Sequence, residues 1–268
     1  MKPVVSVIMG VRFQSIDIAP LKRSVDSILA QSFSDFELII CEKESSIEAK
    51  EYLNIMSEQE RRVRLIDGSG TNHLGGQLNR CIECAEGRFL ARMDDDDYSY
   101  PTRLEKQLEF LAENEDIAFV GSNVRLIQND VPVGNRILPS RPVIKDFLFV
   151  QPFIHPALMF RADDVRAVGG YSDASDRRGC EDYDLLLRMY GAGFAGANIE
   201  QILLDYSLPP KGTSHRNIKL RINEVKTRWQ LFGKLGMLPK GLPYVIKPLA
   251  VGLIPLPILE RIKKQKWR

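Results

Sequence analysis

The chain has 268 residues and a formal net charge of +2, and 44% of its residues are apolar while 27% are charged. This length suits one large domain, or one domain with an appendage, and the composition is ordinary for a globular protein. The near-neutral charge argues against a general polyanion-binding role, so no nucleic-acid partner is expected.

Strands and helices alternate through the first half of the sequence. Short apolar or β-branched runs predict strands, and apolar residues three or four positions apart predict helices. The predicted strands are 4–9, 36–41, 63–66, 89–91 and 117–121, and the predicted helices are 21–29, 47–56, 74–85 and 102–114. This alternation predicts an α/β fold with a mainly parallel sheet and helices on both faces.

The second half is less regular. Short strands and turns are predicted over 123–150, helices over 163–168 and 181–190, and a strand over 202–206. Residues 211–268 are strongly basic, with two Glu and no Asp, and a basic amphipathic helix is predicted over 216–235. Segment 242–260 is apolar, but its four prolines and Lys247 argue against a membrane-spanning helix.

This C-terminal segment predicts an interfacial position on anionic lipid, with apolar residues in the headgroup boundary and flanking lysines on the lipid charge. The alternative is a helical appendage that packs on the body or on a second subunit, which leaves an oligomer open. No signal peptide is predicted, because the apolar run 3–9 is short and leads into a strand pattern. The expected location is the cytoplasm, peripheral on the cytoplasmic face of the inner membrane.

Four consecutive aspartates, Asp94 to Asp97, directly follow a predicted strand and precede Pro101. Crowding four carboxylates costs Coulomb energy, which solvent or a bound divalent cation can offset. A strand that runs into an acidic loop places the carboxylates at the edge of the sheet where open α/β folds bind ligands. Such hard oxygen ligands suit Mg²⁺ or Mn²⁺ and therefore phosphate-bearing substrates.

Other phosphate and metal motifs are missing from the sequence. Neither a Gly-x-Gly-x-x-Gly fingerprint nor a Gly-Lys-Ser/Thr loop follows a predicted strand, so phosphate must be held mainly through metal. Cys81 and Cys84 form one Cys-x-x-Cys pair inside a predicted helix, with no second pair. Buried thiols account for this pair better than zinc or redox chemistry does.

An ordered series of stretches across residues 3–206 resembles the family 2 glycosyltransferases of the GT-A fold. The matching stretches are 4–9, 21–33, 36–40, 74–79, 93–97, 101–107, 155–161, 169–171 and 181–185. The resemblance implies an inverting transfer of sugar from a nucleotide-diphosphate sugar to a hydroxyl of a lipid-linked or surface glycan acceptor. It also implies Mn²⁺ or Mg²⁺ as the cofactor.

By this resemblance the acidic loop is the family's DXD motif, with Asp94 and Asp96 in the two Asp places. Metal contact is assigned first to Asp96, while Asp94 reaches the ribose or a metal-bound water. Asp95 is assigned to the donor side, and Asp97 is treated as surplus or as a cap of the next helix. Glu181-Asp182 matches the family's Glu-Asp pair, which makes Asp182 the general base and Glu181 its neighbour. Without the resemblance, two carboxylates at a helix N-terminus are explained equally well by the helix dipole.

The nucleotide pocket departs from the family pattern. The first strand ends in Gly10-Val11-Arg12-Phe13 instead of Pro-x-Tyr-Asn, and the second in Glu42-Lys43-Glu44-Ser45 instead of Asp-Asp-Gly-Ser. UDP stays the default nucleotide, with Glu42 replacing the missing aspartate. The remaining donor-side candidates are Met9, Gly10, Arg12, Asn79, Lys211 and Arg216.

The three histidines receive different interpretations. His73 is predicted to lie in a loop, and His155 matches a family position near the acceptor or serves a structural role. His215 follows the last core strand and is a candidate metal ligand, although the family spacing would fall on Pro209.

The predicted organisation is a GT-A catalytic domain over 1–210, with a donor half at 1–121 and an acceptor half at 122–210, and a basic C-terminal region over 211–268. Two alternatives stay open: a catalytically degenerate member acting as a partner or scaffold, and a nucleotidyltransferase.

Overall fold

A computed structural model of the chain describes residues 2–209 and 218–254. The strands are β1 (Val5–Val11), β2 (Phe36–Glu42), β3 (Val63–Asp67), β4 (Phe89–Arg92), β5 (Tyr98–Ser99), β6 (Ile117–Gln128), β7 (Val131–Arg136), β8 (Met159–Arg161) and β9 (Ala195–Ser207). The helices are α1 (Ala19–Leu29), α2 (Ile47–Gln59), α3 (Leu74–Cys84), α4 (Arg103–Glu113), α5 (Ala162–Ala167), α6 (Glu181–Gly191), α7 (Ile218–Lys234) and α8 (Leu242–Leu253).

All nine strands form one sheet in the order β3-β2-β1-β4-β8-β6-β9-β5, and β7 pairs with β6. Strands β1 to β4 pair in parallel, as do β6 and β9, while β5, β7 and β8 each run antiparallel to their neighbours. The predicted α/β class with a mainly parallel sheet and helices on both faces is therefore confirmed. The carboxyl ends of β1, β2 and β4 meet at one edge of the sheet, where the acidic loop begins.

Two apolar cores cover the two faces of the sheet. One core packs α1, α2 and α4 against side chains such as Val5, Val7 and Met9, and the other packs α3, α5 and α6 against side chains such as Ile8 and Ile39. Alternate residues of β1 point to opposite faces because a strand repeats every two residues. Burying one such aliphatic side chain contributes about 1.5–3 kcal/mol, so both faces of the sheet are fixed by packing.

The second half differs most from its predicted elements. The strand predicted at 117–121 continues to Gln128, and the strand predicted at 202–206 is the end of the longer β9. These two strands pair in parallel from Ile117–Ala195 to Ile127–Ser207, with register irregularities between Ile117 and Val124. The sequence Ala195-Gly196-Ala197-Asn198 lacks the β-branched residues typical of strands, so its strand conformation depends on this pairing.

The basic C-terminal region forms α7 and α8, while residues 210–217 and 255–268 lie outside the described part of the chain. Arg228 of α7 is buried, donates to the carbonyl oxygen of Leu148 at 2.8 Å, and lies 4.7 Å from the ring centre of Tyr183 in α6. One face of α7 is thus packed against α6 and the segment around Leu148. Among residues 2–209 and 218–254, no helix combines the length and apolar content needed to cross a bilayer.

Candidate active site

The backbone of the acidic loop is fixed by its neighbours in the fold. Ser24 of α1 donates through Oγ to the Asp94 carbonyl oxygen at 2.6 Å, and Arg23 donates to the Asp96 carbonyl oxygen at 3.2 Å. Ser207, the last residue of β9, donates its hydroxyl to the same Asp96 carbonyl oxygen at 2.5 Å. Elements from both halves of the sheet therefore hold the loop in one conformation.

Three of the four aspartates direct their carboxylates toward one point. Asp94, Asp96 and Asp97 each offer an oxygen, and these oxygens lie within 4.8 Å of one another. Asp97 is fully buried; its Oδ1 accepts from the Ser207 backbone N–H at 2.7 Å, whereas its Oδ2 has no hydrogen-bond partner. A buried carboxylate oxygen without a partner is costly, and a divalent cation bound by the three oxygens would satisfy it.

The raised pKa values of the loop carboxylates also indicate uncompensated negative charge. Burial, together with the neighbouring carboxylates, raises the pKa of Asp95 to about 7 and that of Asp96 to about 6. Burial and the charges of Asp94 and Asp96 also raise the pKa of Asp97 well above its usual range. A cation among these groups would favour their ionised forms, so the residues present fit Mg²⁺ or Mn²⁺.

A buried arginine lies directly beneath the acidic loop. Arg92, the last residue of β4, is 1% exposed, and its Nη1 is 2.5 Å from Asp94 Oδ1. This contact is an ion pair without hydrogen-bond alignment, since Nε and Nη1 of Arg92 have no aligned acceptor. Arg103 of α4 in turn donates to the Arg92 carbonyl oxygen at 2.7 Å. Arg92 supplies positive charge to the site from the protein side.

The geometry of the acidic cluster differs from the predicted triplet Asp94-Asp95-Asp96. Asp97, which was treated as surplus or as a helix cap, belongs to the cluster, and the N-cap of α4 is Thr102. Asp95 instead lines the neighbouring cleft, in agreement with its assignment to the donor side. Asp95 is outside the group of carboxylates whose oxygens lie within 4.8 Å of one another.

A cleft with a volume of about 420 Å³ opens beside the acidic loop. It joins the ends of β1 and β2 to the start of α3, the segment before α6 and the start of α7. Its lining residues are Gly10, Arg12, Lys43, Asn72, His73, Leu74, Gln77, Asp94, Asp95, Arg178, Gly179, Glu181 and Leu220. Carboxylates and cations both face this space, as a site for a charged, metal-bound ligand requires.

Gly10 lies on the floor of the cleft, where β1 meets α3. A Cβ on Gly10 would lie 2.7 Å from Leu74 Cδ1, so β1 approaches α3 closely at this point. Gln77 of α3 donates to the carbonyl oxygens of Val11 at 3.0 Å and Cys41 at 2.8 Å, which ties the ends of β1 and β2 together. These contacts hold the strand ends that form the floor of the cleft.

The charged residues that replace the family's nucleotide-pocket residues make contacts with each other and with the backbone. Arg12 pairs with Glu44 at 2.6 Å on the open side of the cleft. Lys43 Nζ donates to the carbonyl oxygen of Thr71 in a short hydrogen bond. A cation thus stands at the end of β2, where the resemblance would place an aspartate.

Three predicted donor-side residues do not line the cleft. Met9 is fully buried in the core, and the Glu42 carboxylate accepts from the Ser45 backbone N–H at 2.7 Å. Asn79 uses both ends of its amide on the backbone of Tyr171, each at 2.8 Å, and so joins α3 to the segment before α6. The geometry therefore gives Asn79 a structural contact in place of a donor contact.

The carboxylate predicted as the base lies at the start of α6. Asp182 Oδ2 accepts from Gln151 Nε2 at 2.9 Å, and Oδ1 accepts from the Tyr183 backbone N–H at 2.8 Å. Burial, and next the charge of Glu181, raise the pKa of Asp182. A carboxylate with a raised pKa is a stronger proton acceptor, provided that it is ionised at the working pH.

The acidic cluster and the predicted base border one cleft, which Asp94 and Glu181, the neighbour of Asp182, both line. Burial is the main cause that raises the pKa of Tyr171, and the charges of Arg92, Asp182 and Asp94 also act on it. Tyr171 OH is 2.7 Å from His155 Nε2, and burial followed by the Arg92 charge lowers the pKa of His155 well below its usual range. His155 is thus a neutral histidine bonded to Tyr171, which favours the structural interpretation.

Several site residues were not found from the sequence. They are Arg92 and Ser207 at the acidic loop, Gln151 at Asp182, and His73 at Glu181. Only Arg92 gave a signal, because it is a charged residue at the end of an otherwise apolar strand. The other three come from distant segments that folding brings together. The predicted candidates Lys211, His215 and Arg216 lie outside the described residues.

The chain is similar to known proteins over most of its length. A family model described as Glycosyl transferase family 2 matches residues 6–166. The protein EpsE of Bacillus subtilis (strain 168) is 32% identical over 98% of this chain and 94% of its own length. The O-antigen biosynthesis glycosyltransferase WbnJ of Escherichia coli is 35% identical over 78% of this chain and 81% of its own length.

A third relative and two solved structures add to this comparison. WfgD of Escherichia coli, named as a UDP-Glc:alpha-D-GlcNAc-diphosphoundecaprenol beta-1,3-glucosyltransferase, is 27% identical over 45% of this chain and 47% of its own length. The S. aureus TarS 1–349 complex with UDP-GlcNAc superposes with a TM-score of 0.69 at 14% identity, covering 92% of this chain and 73% of TarS 1–349.

The mannosyltransferase PcManGT of Pyrobaculum calidifontis, solved with GDP-Man and Mn²⁺, superposes with a TM-score of 0.65 at 16% identity. The match covers 98% of this chain and 80% of PcManGT. At these identities the two structures establish the fold, which is GT-A. The family match and the sequence identity to EpsE and WbnJ establish the family as well as the fold. This chain is a glycosyltransferase and belongs to glycosyl transferase family 2.

Proposed function

We propose that the protein is a metal-dependent, inverting glycosyltransferase that uses a nucleotide-diphosphate sugar and glycosylates a hydroxyl of a glycan or glycolipid acceptor. The observation that carries this proposal is the cluster of Asp94, Asp96 and Asp97 beside a cleft that Asp94 and Glu181, the neighbour of Asp182, both line. One group of carboxylates suits a cation on a diphosphate, and the separate carboxylate suits proton removal.

The donor would bind in the cleft between the strand ends and α3. Asp94, Asp96 and Asp97 would hold Mn²⁺ or Mg²⁺, which when bound neutralises charge that develops on the departing diphosphate. Asp95 and Arg12 line the same cleft and are positioned to contact the nucleotide sugar. UDP is the proposed nucleotide, supported by the UDP-GlcNAc bound in the TarS structure and by UDP-Glc in the name of WfgD.

Asp182 would remove the proton from the acceptor hydroxyl as that oxygen attacks the anomeric carbon. Gln151 and the Tyr183 N–H each occupy one carboxylate oxygen, so they fix the plane of the carboxylate without neutralising it. The ionised Glu181 raises the pKa of Asp182 and so its basicity. A single displacement by an activated hydroxyl inverts the anomeric configuration and needs no covalent intermediate.

The proposed acceptor is a lipid-linked or surface glycan of the kind assembled in polysaccharide biosynthesis. The names of WbnJ, an O-antigen biosynthesis enzyme, and WfgD, which acts on a diphosphoundecaprenol-linked sugar, support this class. Such an acceptor places its lipid in a membrane, so the enzyme must reach the membrane surface.

The C-terminal helices suit contact with an anionic membrane surface. Trp229 of α7 is 54% exposed and Ile246 of α8 is 53% exposed, although the opposite faces of both helices are packed on the body. Lys226, Lys234 and Lys240 are exposed in the same region. Exposed apolar side chains beside lysines fit lipid with anionic headgroups, and we propose a peripheral position on the cytoplasmic face of the membrane.

Metal binding distinguishes the observed cluster from the predicted triplet. In calorimetric titrations with Mn²⁺ in the presence of UDP, Asp97→Asn should weaken Mn²⁺ affinity at least about tenfold, because one ligand oxygen is lost. Asp95→Asn should weaken Mn²⁺ affinity less than Asp97→Asn does, since its carboxylate lies outside the cluster and contacts only the nucleotide. Equal weakening by both substitutions would contradict the geometry, and no binding by the wild type would favour a scaffold function.

Asp182→Asn should lower kcat for sugar transfer by about 10²–10⁴-fold, the usual contribution of a positioned base. Affinity for UDP with Mn²⁺ should be unchanged, because Asp182 is outside the metal cluster. Asp163→Asn, on the exposed surface of α5, is the matched control and should transfer normally. Full activity of Asp182→Asn in a discontinuous transfer assay would show that another group is the base.

Membrane contact can be followed by the fluorescence of Trp229. The chain has two tryptophans, so a Trp267→Phe background leaves Trp229 as the reporter. Vesicles rich in phosphatidylglycerol should shift its emission to the blue, while neutral phosphatidylcholine vesicles should not, and salt should weaken the response. Ile246→Ser should reduce vesicle cosedimentation, whereas Ile47→Ser, on exposed α2, should not. Binding unaffected by Ile246→Ser would contradict this surface.

A further inference from the structure

His73 lies where the first turn of α3 meets the segment that leads into α6. Its backbone is the N-cap of α3, and its side chain is 2% exposed. Nε2 is 3.2 Å from the Ala174 carbonyl oxygen, which can only accept, so Nε2 carries a proton. The other ring nitrogen, Nδ1, therefore decides the charge of the imidazole.

Nδ1 of His73 has two partners that require opposite protonation states. The Gly75 backbone N–H lies 3.1 Å away and needs an acceptor, whereas Glu181 Oε1 lies 3.3 Å away and needs a donor. A neutral ring caps α3 but presents its lone pair to the Glu181 carboxylate. A protonated ring donates to Glu181 but leaves the Gly75 N–H without its acceptor.

The charges around His73 favour the protonated ring. The hydrogen bond with Glu181 raises the pKa of His73 against the opposing effect of burial, and Asp173, 3.9 Å from Nε2, acts in the same direction. The positive end of the α3 dipole opposes the cation. The other charged groups that line the cleft are Asp94, Asp95, Arg12, Lys43 and Arg178.

Glu181 responds to the same contact. Burial alone would raise its pKa, yet the hydrogen bond from His73 and those from backbone amides lower it. Glu181 therefore stays ionised next to Asp182, where its charge strengthens the base.

Two glycines allow α3 to come this close. A Cβ on Gly75 would lie 2.9 Å from His73 Cε1 and 3.2 Å from Glu181 Cγ. A Cβ on Gly76 would lie 2.7 Å from Asp173 Oδ1. The first turn of the donor-side helix is thus in direct contact with the segment that carries the proposed base, and His73 is one of the side chains that join them.

We propose that His73 is a positioning residue of the transfer reaction: its imidazolium holds Glu181 ionised and oriented beside Asp182, and so fixes the base-bearing helix α6 to the donor-side helix α3. The effect of His73 on transfer rests on the proposed function. The ion pair between His73 and Glu181 does not depend on that function. His73 exchanges no proton with the substrate. It acts through Glu181, whose carboxylate it holds in place beside Asp182.

The pH dependence follows from the direction of the His73 shift. A histidine whose pKa is raised in the folded protein contributes its stabilisation fully below its unfolded pKa of about 6.5 and loses it as pH rises through the folded value. The ion pair should therefore be complete in mildly acidic solution and lost as pH rises through the raised pKa of His73. Transfer activity should show an alkaline decline that reports His73, separate from the acidic decline that reports Asp182.

Imidazole NMR titration of the full-length protein tests the ion pair without any activity. The chain has three histidines, and His73→Asn identifies the resonance of His73. Its pKa should lie above the ordinary value of about 6.5 in the wild type and should fall when the neighbour is changed by Glu181→Gln. A wild-type pKa at or below 6.5, or no change in Glu181→Gln, would overturn the proposal.

The pH profile of transfer tests the catalytic consequence. His73→Asn keeps an N-cap side chain for α3 but removes the cation, so it separates charge from folding. Its kcat should fall about tenfold at pH 6.5 with donor KM within about twofold, and the alkaline decline should disappear. An unchanged profile would overturn the positioning role. Failure of the proposed function would look different: Asp182→Asn would retain activity while the NMR titration still reported the ion pair.

Discussion

The site depends on holding four carboxylates together at the edge of the sheet. Two unit charges 4 Å apart repel by about 4 kcal/mol near a protein surface, so the loop needs compensating charge. The protein supplies part of it through Arg92, which is buried and paired with Asp94, while Ser24, Arg23 and Ser207 fix the loop backbone. The unpartnered Asp97 oxygen and the raised pKa values show that this compensation is incomplete, which is the condition in which a divalent cation binds well.

A second group of polar contacts lies where α3 meets α6. Helices α3 and α6 meet through His73 and Glu181, and Asp182 follows on the same turn of α6. Asn79 joins the same two segments through the Tyr171 backbone. Helices α3 and α6 are therefore linked by polar contacts as well as by the shared sheet, and Glu181 connects that link to Asp182, the proposed base. The α7 helix covers this junction, with Leu220 at the cleft and Arg228 on Tyr183.

The sequence predicted the α/β class and most elements of the first half, because apolar periodicity and β-branched runs are local signals. It did not predict the full length of β9, whose Ala- and Gly-rich start is a strand only by pairing with β6. The same limit applies to the site. The sequence alone indicated the acidic loop. The position of Asp97, however, depends on a hydrogen bond from Ser207, more than a hundred positions away. Asn79 was predicted to face the cleft, but both ends of its amide are bonded to the Tyr171 backbone. Contacts across the fold decided each of these cases.

The most direct test of this account is the number of protons released when Mn²⁺ binds, measured by calorimetry at pH 6 in buffers of different ionisation enthalpy, with UDP present. Because burial and the neighbouring carboxylates raise the pKa of Asp96 to about 6 and raise that of Asp97 well above its usual range, the metal-free loop retains protons at this pH. About one proton should be released for each Mn²⁺ bound, and this number should decline as pH rises to 8. Tight Mn²⁺ binding at pH 6 without proton release would contradict it.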